Sequence, residues 1–338
     1  MIVVNSLSKA TDAKSFITAF AEVPYLVRAK SEHKFLQPKE WTEALLMAPL
    51  PIPKEFFIAT QDGASFGRAS VNLSLAYKDY AYFGFFEAKS FDVAQALIAE
   101  VRKWALEKNI KKIIGPINFN TWLPYRFRVN WDDSNYFAWE PQNPQTYPEY
   151  LEKLGFKTQA SYTSTGYEPL VDLMNATEKN FTATSQQGYS YPEFDDSSLL
   201  KNIDQIHAVT MRAFAQNHLF EPLPLDYFKQ FYVPLAKKED HSHFRWMLSP
   251  QNEIVGYLFN FVDQGHFIMK SFAVVPEETG KGLSNACLHA CLKKAHALGI
   301  DKTVSALVIE GNRSESYGKK QKQIWQHRYC LYELEVSP

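Results

Sequence analysis

Cysteines are scarce in this sequence, and their scarcity argues against small proteins that are stabilised by disulfides or by a zinc site. The 338 residues include only three cysteines, Cys287, Cys291 and Cys330. No histidine or further cysteine stands at the spacing of a zinc finger. We therefore expect neither a disulfide framework nor a metal site, and the three thiols are typical of buried cysteines in a reducing cytoplasm.

The sequence also lacks an excess of charge and any long apolar run. The formal net charge is −1, and the basic residues form no stripe. Nucleic acid is not expected as a partner, because neutralising its phosphates takes concentrated Lys and Arg. No apolar run approaches the ~18 residues that span a bilayer, and the start of the chain lacks the pattern of a signal peptide. These absences predict a cytoplasmic protein that does not bind membranes.

What the sequence does contain is enough apolar residues, 46%, for two packed cores in a chain of this length. Each half has the same predicted order: strand, helix, three antiparallel strands, helix, strand and a last strand. Residues 172–188 are polar and lose apolar periodicity, which predicts a linker. We expect domains at 1–171 and 189–338 of mixed α/β (α+β) class, each a mostly antiparallel twisted sheet flanked by helices.

The clearest chemical signal lies in the segment Glu278–Ser284. A predicted strand ends at Pro276, and Gly280 and Gly282 stand directly before an amphipathic helix that Gly299 closes. Glycines at a helix start leave backbone N–H groups open at the positive end of the helix dipole, which suits a diphosphate. An ordinary tight turn remains the alternative. A dinucleotide-binding fold would need a third glycine and parallel strands.

This segment resembles the acetyl-CoA loop of the GNAT (N-acetyltransferase) superfamily. The resemblance rests on Val275-Pro276, on Gly280-Lys281-Gly282-Leu283, and on Gly311-Asn312 after the next strand. The family pattern Arg/Gln-x-x-Gly-x-Gly/Ala falls on Thr279, Gly282 and Ser284, so its first and last positions depart from it.

The resemblance implies acetyl-CoA as a co-substrate and a set of residues that would contact it. Its diphosphate would lie on the loop, and its pantetheine would lie along the central strand. The implied contacts are Ala273, Val274, Val275, Thr279, Gly280, Lys281, Gly282, Leu283, Ser284 and Asn312. For Asn312, a cap on the helix after the strand is the simpler interpretation.

Family chemistry is the direct attack of a neutral amine on the thioester, which needs an acid for the thiolate and a base for the amine. Tyr317 is the candidate acid, and a packing role fits it equally well. His266, at the start of the central strand, and Glu310, at the end of the next one, are candidate bases. Both are residue types that are common on surfaces.

The N-terminal half resembles the same superfamily at other points. Tyr150–Phe156 looks like the family's helix end with its glycine cap, and Gly115-Pro116-x-Asn118-Phe119 is also similar. At Glu87–Asp92, where the loop should precede the helix, there are no glycines. The implied architecture is two tandem GNAT-like domains, of which the first is degenerate and does not bind CoA.

These features predict an acetyl-CoA-dependent N-acyltransferase with a small-molecule amine substrate and one active site per chain. One alternative is a catalytically inactive CoA- or partner-binding GNAT-like module. Another is a transferase with a larger donor such as an aminoacyl-tRNA, which the near-neutral charge disfavours. The acceptor, the acyl length and the oligomeric state stay open.

Overall fold

The structure is a computed structural model, which describes residues 1–47, 52–132, 137–193, 200–236, 243–318 and 320–336. Its helices are α1 (Ala13–Val27), α2 (Lys39–Met47), α3 (Phe91–Glu107), α4 (Thr146–Lys153), α5 (Leu170–Gln186), α6 (Ile203–Ala213), α7 (Leu225–Ala236) and α8 (Leu283–Ala297). Its strands are β1 (Ile2–Ser6), β2 (Lys54–Gln61), β3 (Ala64–Leu73), β4 (Tyr80–Ala88), β5 (Lys112–Gly115), β6 (Phe127–Arg128), β7 (Lys157–Glu168), β8 (Arg245–Leu248), β9 (Ile254–Asp263), β10 (His266–Val274), β11 (Lys302–Ile309) and β12 (Lys322–Glu335). Over the described ranges, no helix has the length and apolar character needed to cross a membrane.

The chain divides into two compact units. The N-terminal unit contains Met1–Asp133, Pro141–Ser161 and Arg328–Pro338, and the C-terminal unit contains Ser134–Glu140 and Tyr162–His327. The end of β12 is therefore part of the N-terminal unit, although it comes last in the chain. The domain limits of 1–171 and 189–338 stay a prediction.

The sheet of the N-terminal unit has the order β1-β2-β3-β4-β5-β12. Its neighbours pair antiparallel except β4 and β5, which are parallel. Alternate residues face opposite sides, as strand geometry requires. Phe57 and Ala69 pack with α3 on one face, while Phe56 and Phe85 contact Phe20 of α1 on the other.

The sheet of the C-terminal unit has the order β7-β11-β10-β9-β8, in which only β10 and β11 pair in parallel. The apolar side of α8 lies in the main core of this unit, with Leu283, Cys287 and Leu292 fully buried. Gly299 follows the helix with a φ of 79°. Mostly antiparallel sheets flanked by helices confirm the predicted fold class.

The segment predicted as a linker is instead the helix α5. Its buried side packs with α8 in the same core and includes Leu170, Leu173 and the small polar Thr177. The Thr177 hydroxyl donates to the Leu173 carbonyl at 3.0 Å, which lets a polar residue stay buried. The sequence pattern was misleading because threonines occupy positions where apolar residues mark a helix.

Candidate functional site

The connection between β10 and α8 forms a compact loop with two left-handed glycines. Pro276–Glu278 make one 3-10 turn, and Gly280 and Gly282 follow with φ values of 88° and 84°. Thr279 folds back on the turn, since its N–H donates to the Pro276 carbonyl at 3.2 Å and its hydroxyl donates to the Val275 carbonyl at 3.3 Å. Thr279 therefore supports the loop and offers no free donor.

The backbone N–H groups from Gly280 to Asn285 have no hydrogen-bond acceptor in the described part of the chain. The first bond of the helix runs from the Ala286 N–H to the Gly282 carbonyl, at 3.0 Å. These open donors lie at the positive end of the α8 dipole, where a diphosphate or another anion is favoured. The loop thus fits the diphosphate of a CoA molecule.

The central parallel strands separate toward their carboxyl ends, where this loop follows β10. β10 and β11 pair from His266–Lys302 to Met269–Ser305, and beyond that point β11 pairs with β7 alone. The Val275 N–H donates to the Val255 carbonyl at 2.9 Å. Because antiparallel ladders alternate, Ala273 also bonds to β9, whereas Phe272 and Val274 turn their backbone groups toward the gap.

Tyr317 lies beside both the loop and the gap. Its ring makes an edge contact with Phe272, with centroids 4.8 Å apart, and its hydroxyl is hydrogen-bonded with Ser284 at the start of α8. Burial raises the pKa of Tyr317 to about 12, against the hydrogen bond with Ser284, which lowers it. The hydroxyl therefore keeps its proton at neutral pH.

The other predicted polar residues have separate positions. Asn312 caps a short 3-10 turn, its Oδ1 accepting the Ser314 N–H at 2.9 Å, and Glu310 is exposed just after β11. His266 starts β10 and contacts the Gln264 carbonyl through Nδ1 at 2.9 Å. It lies roughly 26 Å from the loop end of a strand that rises ~3.3 Å per residue. The structure therefore does not bring His266 together with the loop.

Asn180 of α5 is a loop contact that the sequence pattern did not predict. A Cβ atom on Gly282 would displace the end of the Asn180 side chain, and the φ of 84° at this position favours glycine. Asn180 also accepts a hydrogen bond from Asn285 at 3.3 Å. The sequence pattern did not indicate this contact, because Asn180 falls in the segment predicted as a linker.

Tyr189 is a second unpredicted contact of the loop. Its hydroxyl donates to Glu278 at 2.6 Å, and Lys281 donates to the same carboxylate at 2.8 Å. Although burial opposes it, the hydrogen bonds from Lys281 and Tyr189 hold the pKa of Glu278 below its ordinary value. The ammonium of Lys281 is thus neutralised within the loop, and the backbone carries the attraction for an anion.

In the N-terminal unit, the connection between β4 and α3 is short, and Ser90 caps the start of the helix. β4 continues to Ala88, and Ser90 accepts the Val93 N–H with its side chain at 3.4 Å and the Ala94 N–H with its carbonyl at 3.1 Å. The N–H of Lys89, between them, donates to the Phe66 carbonyl at 3.0 Å. A side chain and a neighbouring strand therefore occupy donors that the C-terminal unit leaves open.

The gap between the parallel strands of the N-terminal unit is also filled by the chain itself. Pairing of β4 with β5 ends at Tyr82–Ile114. Beyond it, the Asn118 side chain accepts the Phe85 N–H at 2.7 Å, and the Ile117 N–H donates to the Phe83 carbonyl at 2.7 Å. Atoms of the chain therefore occupy the position at which the C-terminal unit has an open gap, and the absence of a CoA site from the first domain stays a prediction.

A mostly antiparallel sheet whose parallel pair separates beside an anion-binding helix start belongs to the fold of acyl-CoA-dependent acyltransferases. Residues 203–315 match the model of the Acetyltransferase (GNAT) family. The family match covers this part of the chain, which lies within the C-terminal unit. The fold supports acyl-CoA-dependent acyl transfer in general.

Solved structures extend the likeness to the whole chain. A tandem GNAT protein from the clavulanic acid biosynthesis pathway has a TM-score of 0.56 at 11% identity, over 100% of this chain and 99% of that one. A probable N-acyltransferase from Enterococcus faecalis has a TM-score of 0.60 at 8% identity, over 99% and 73% of the two chains. A GCN5-related N-acetyltransferase from Sphaerobacter thermophilus has a TM-score of 0.50 at 12% identity, over 100% and 96%. No curated protein matches the sequence.

Proposed function

We propose that the C-terminal unit transfers an acetyl group from acetyl-CoA to a small amine. The observation that carries this proposal is the row of open N–H groups from Gly280 to Asn285, beside the gap between β10 and β11. Acetyl-CoA supplies an activated thioester. The loop of the chain would bind the diphosphate, and the thioester end of acetyl-CoA would then lie in the gap between β10 and β11.

Three sets of protein groups have separate roles at this site. The N–H groups from Gly280 to Asn285 bind the diphosphate. The backbone groups of Phe272 and Val274 face the gap and bind the amides and the carbonyl of the pantetheine arm. Tyr317, protonated and next to Ser284, donates a proton to the departing sulfur.

The amine must lose a proton before or during its attack. Glu310 is exposed at the carboxyl end of β11, and the loop follows the carboxyl end of its parallel neighbour β10. We assign the base role to Glu310, acting through water. His266 has no part in this proposal, because it lies at the opposite end of β10.

A CoA-binding module without turnover is a second candidate, and the loop itself favours it. The hydroxyl of Thr279 and the ammonium of Lys281 both serve contacts within the loop. Binding would then depend on backbone donors alone. Such a module would bind CoA and release no thiol with any amine.

The test combines calorimetric binding of acetyl-CoA with thiol release across a panel of small amines. Gly282→Glu places a carboxylate against the open N–H groups and should weaken binding by at least about tenfold. Gly299→Glu is the matched control, since Gly299 has a similar φ of 79°, open space around it and a place at the other end of α8. Equal binding by both variants would contradict the proposed site.

A further inference from the structure

One face of the C-terminal sheet carries a group of aromatic rings that stay partly open to solvent. Trp139 is 41% exposed, and its ring centroid lies 5.3 Å from that of Phe259 and 5.1 Å from that of Phe261. Phe244 makes an edge contact with Phe259, with centroids 4.4 Å apart. The three phenylalanines are half-buried. We call these four residues the aromatic platform.

The aromatic platform lies on the face of the sheet that does not carry α8. Phe261 is paired with Ile268, whereas Phe267 and Met269, on either side of Ile268, belong to the core that contains α8. Side chains alternate along a strand, so Phe259, two residues before Phe261, shares its face. Because the core fills the α8 face of these strands, an acceptor would reach the gap between β10 and β11 from the platform side.

The aromatic platform also borders that gap. Pairing of β10 with β11 ends at Met269, and Phe259 is paired with Ser271, two residues further along β10. Directly opposite residues of an antiparallel ladder are neighbours on one face of the sheet. The Phe259 ring therefore lies beside Ser271, and only β10 separates it from the gap.

The chemistry of the aromatic platform favours a flat, apolar ligand. Its four side chains are uncharged, and the indole N–H of Trp139 is their one polar group. Aromatic rings pair well with one another through offset stacking and edge contacts, and clustered exposed apolar groups mark binding surfaces. Asp263, the acidic residue of β9, already accepts the Ala138 N–H at 2.7 Å. An amino sugar placed on these rings would leave its hydroxyls unpaired.

We propose that the acceptor is an arylalkylamine, in which a short aliphatic chain joins an aromatic ring to a primary amino group. The ring stacks on Trp139 and Phe259, and the chain passes Ser271, so that the amino group meets the thioester in the gap. The chain is needed because neighbouring strands lie roughly 5 Å apart and β10 stands between the platform and the gap. This inference names the acceptor of the proposed acetyl transfer and rests on that proposal.

The transfer to such an amine balances with the groups already assigned. The lone pair of the neutral amine forms the C–N bond with the acetyl carbon, and the C–S bond breaks with its electron pair on sulfur. Sulfur takes the proton of Tyr317. The nitrogen loses one proton through water to Glu310, and solvent returns a proton to Tyr317. The products are the N-acetyl arylalkylamine and the free thiol of CoA.

Thiol release and calorimetry on the full chain test the acceptor class. The probes are phenethylamine, ethylamine without a ring, spermidine with several charges and glucosamine with hydroxyls. Phenethylamine should have a KM at least about tenfold below that of ethylamine, and it should bind with saturating CoA present, where no transfer occurs. If phenethylamine binds but no amine releases thiol, the proposed transfer is wrong and the platform site stands. If phenethylamine does not bind, or another probe has the higher kcat/KM, the arylalkylamine inference is wrong.

Variants of the aromatic platform locate the binding site. Phe259→Leu keeps an apolar side chain without a ring, and Trp139→Ala removes an exposed ring. Each should raise the Kd of phenethylamine at least about tenfold and leave acetyl-CoA binding within about twofold. Val262→Ala is the matched control and should change neither, because Val262 is 37% exposed on the same strand and paired with Phe267 on the α8 face. Wild-type affinity for phenethylamine in both ring variants would overturn the platform as the acceptor site.

Discussion

At the scale of single residues, the site depends on a few groups whose surroundings decide their state. Tyr317 contacts β10 through Phe272 and α8 through Ser284. The pKa of Tyr317, at about 12, is above the ordinary value of 10.0. A group with a raised pKa stays protonated as the pH rises through its ordinary value. An acid role for Tyr317 therefore survives at alkaline pH.

Tyr317→Phe should lower the rate of thiol release by about 10²-fold or more, the usual worth of a positioned proton donor. Binding of acetyl-CoA should stay within about twofold, because the ring and its contact with Phe272 remain. The wild-type rate should show no alkaline fall from this group near pH 10, since the Tyr317 pKa is about 12. The measurement compares kcat for thiol release and Kd for acetyl-CoA between the wild type and Tyr317→Phe. A loss in binding alone would assign Tyr317 to packing.

At the scale of elements, α5 decides whether the loop keeps its shape. The helix packs on α8 and brings Asn180 against Gly282. The sequence predicted the loop and α8 well, because glycine positions and an apolar stripe are local signals. It failed for α5, where Thr177 and Thr184 are buried by donating their hydroxyls to carbonyls one turn earlier. A pattern of apolar residues cannot register that compensation.

Ala176→Pro tests the helical state of α5. Ala176 is exposed in the middle of the helix, so a proline there removes a backbone hydrogen bond without disturbing the core. It should lower the free energy of unfolding by about 3 kcal/mol, and Ala176→Gly should lower it by about 1 kcal/mol. Acetyl-CoA binding should weaken in the proline variant through Asn180. Chemical denaturation measures the free energy of unfolding of both variants. Unchanged stability in the proline variant would indicate that this segment is a linker.

At the scale of the whole molecule, the end of the last strand, from Arg328 onward, belongs to the N-terminal unit. Tyr332 pairs with Gly115 and Leu334 pairs with Ile113, and both side chains lie in the core that contains α3. Sequence patterns predicted two similar halves and divided them at a linker, because strand content is local. The partner of a strand is set by packing between distant segments, which periodicity does not record.

Leu334→Ala tests this assignment. Leu334 is buried, so the cavity should cost about 2–4 kcal/mol of stability, and amide exchange should rise in β5 while β11 stays protected. Leu298→Ala is the control, because Leu298 is 62% exposed, and its effect should stay within about 0.5 kcal/mol. Hydrogen exchange with mass spectrometry separates the strands. Faster exchange in β11 with β5 unchanged would contradict the assignment.

The position of β12 also bears on how the protein is made. Lys112 of β5 bonds Glu333 of β12 across 221 residues of sequence. A ribosome that adds roughly 5–20 residues per second needs about ten to forty seconds to cover that interval. Until then β5 is paired only with β4, and its other side is an open sheet edge that can pair with strands of other chains. The nascent N-terminal unit should therefore depend on chaperones until β12 emerges.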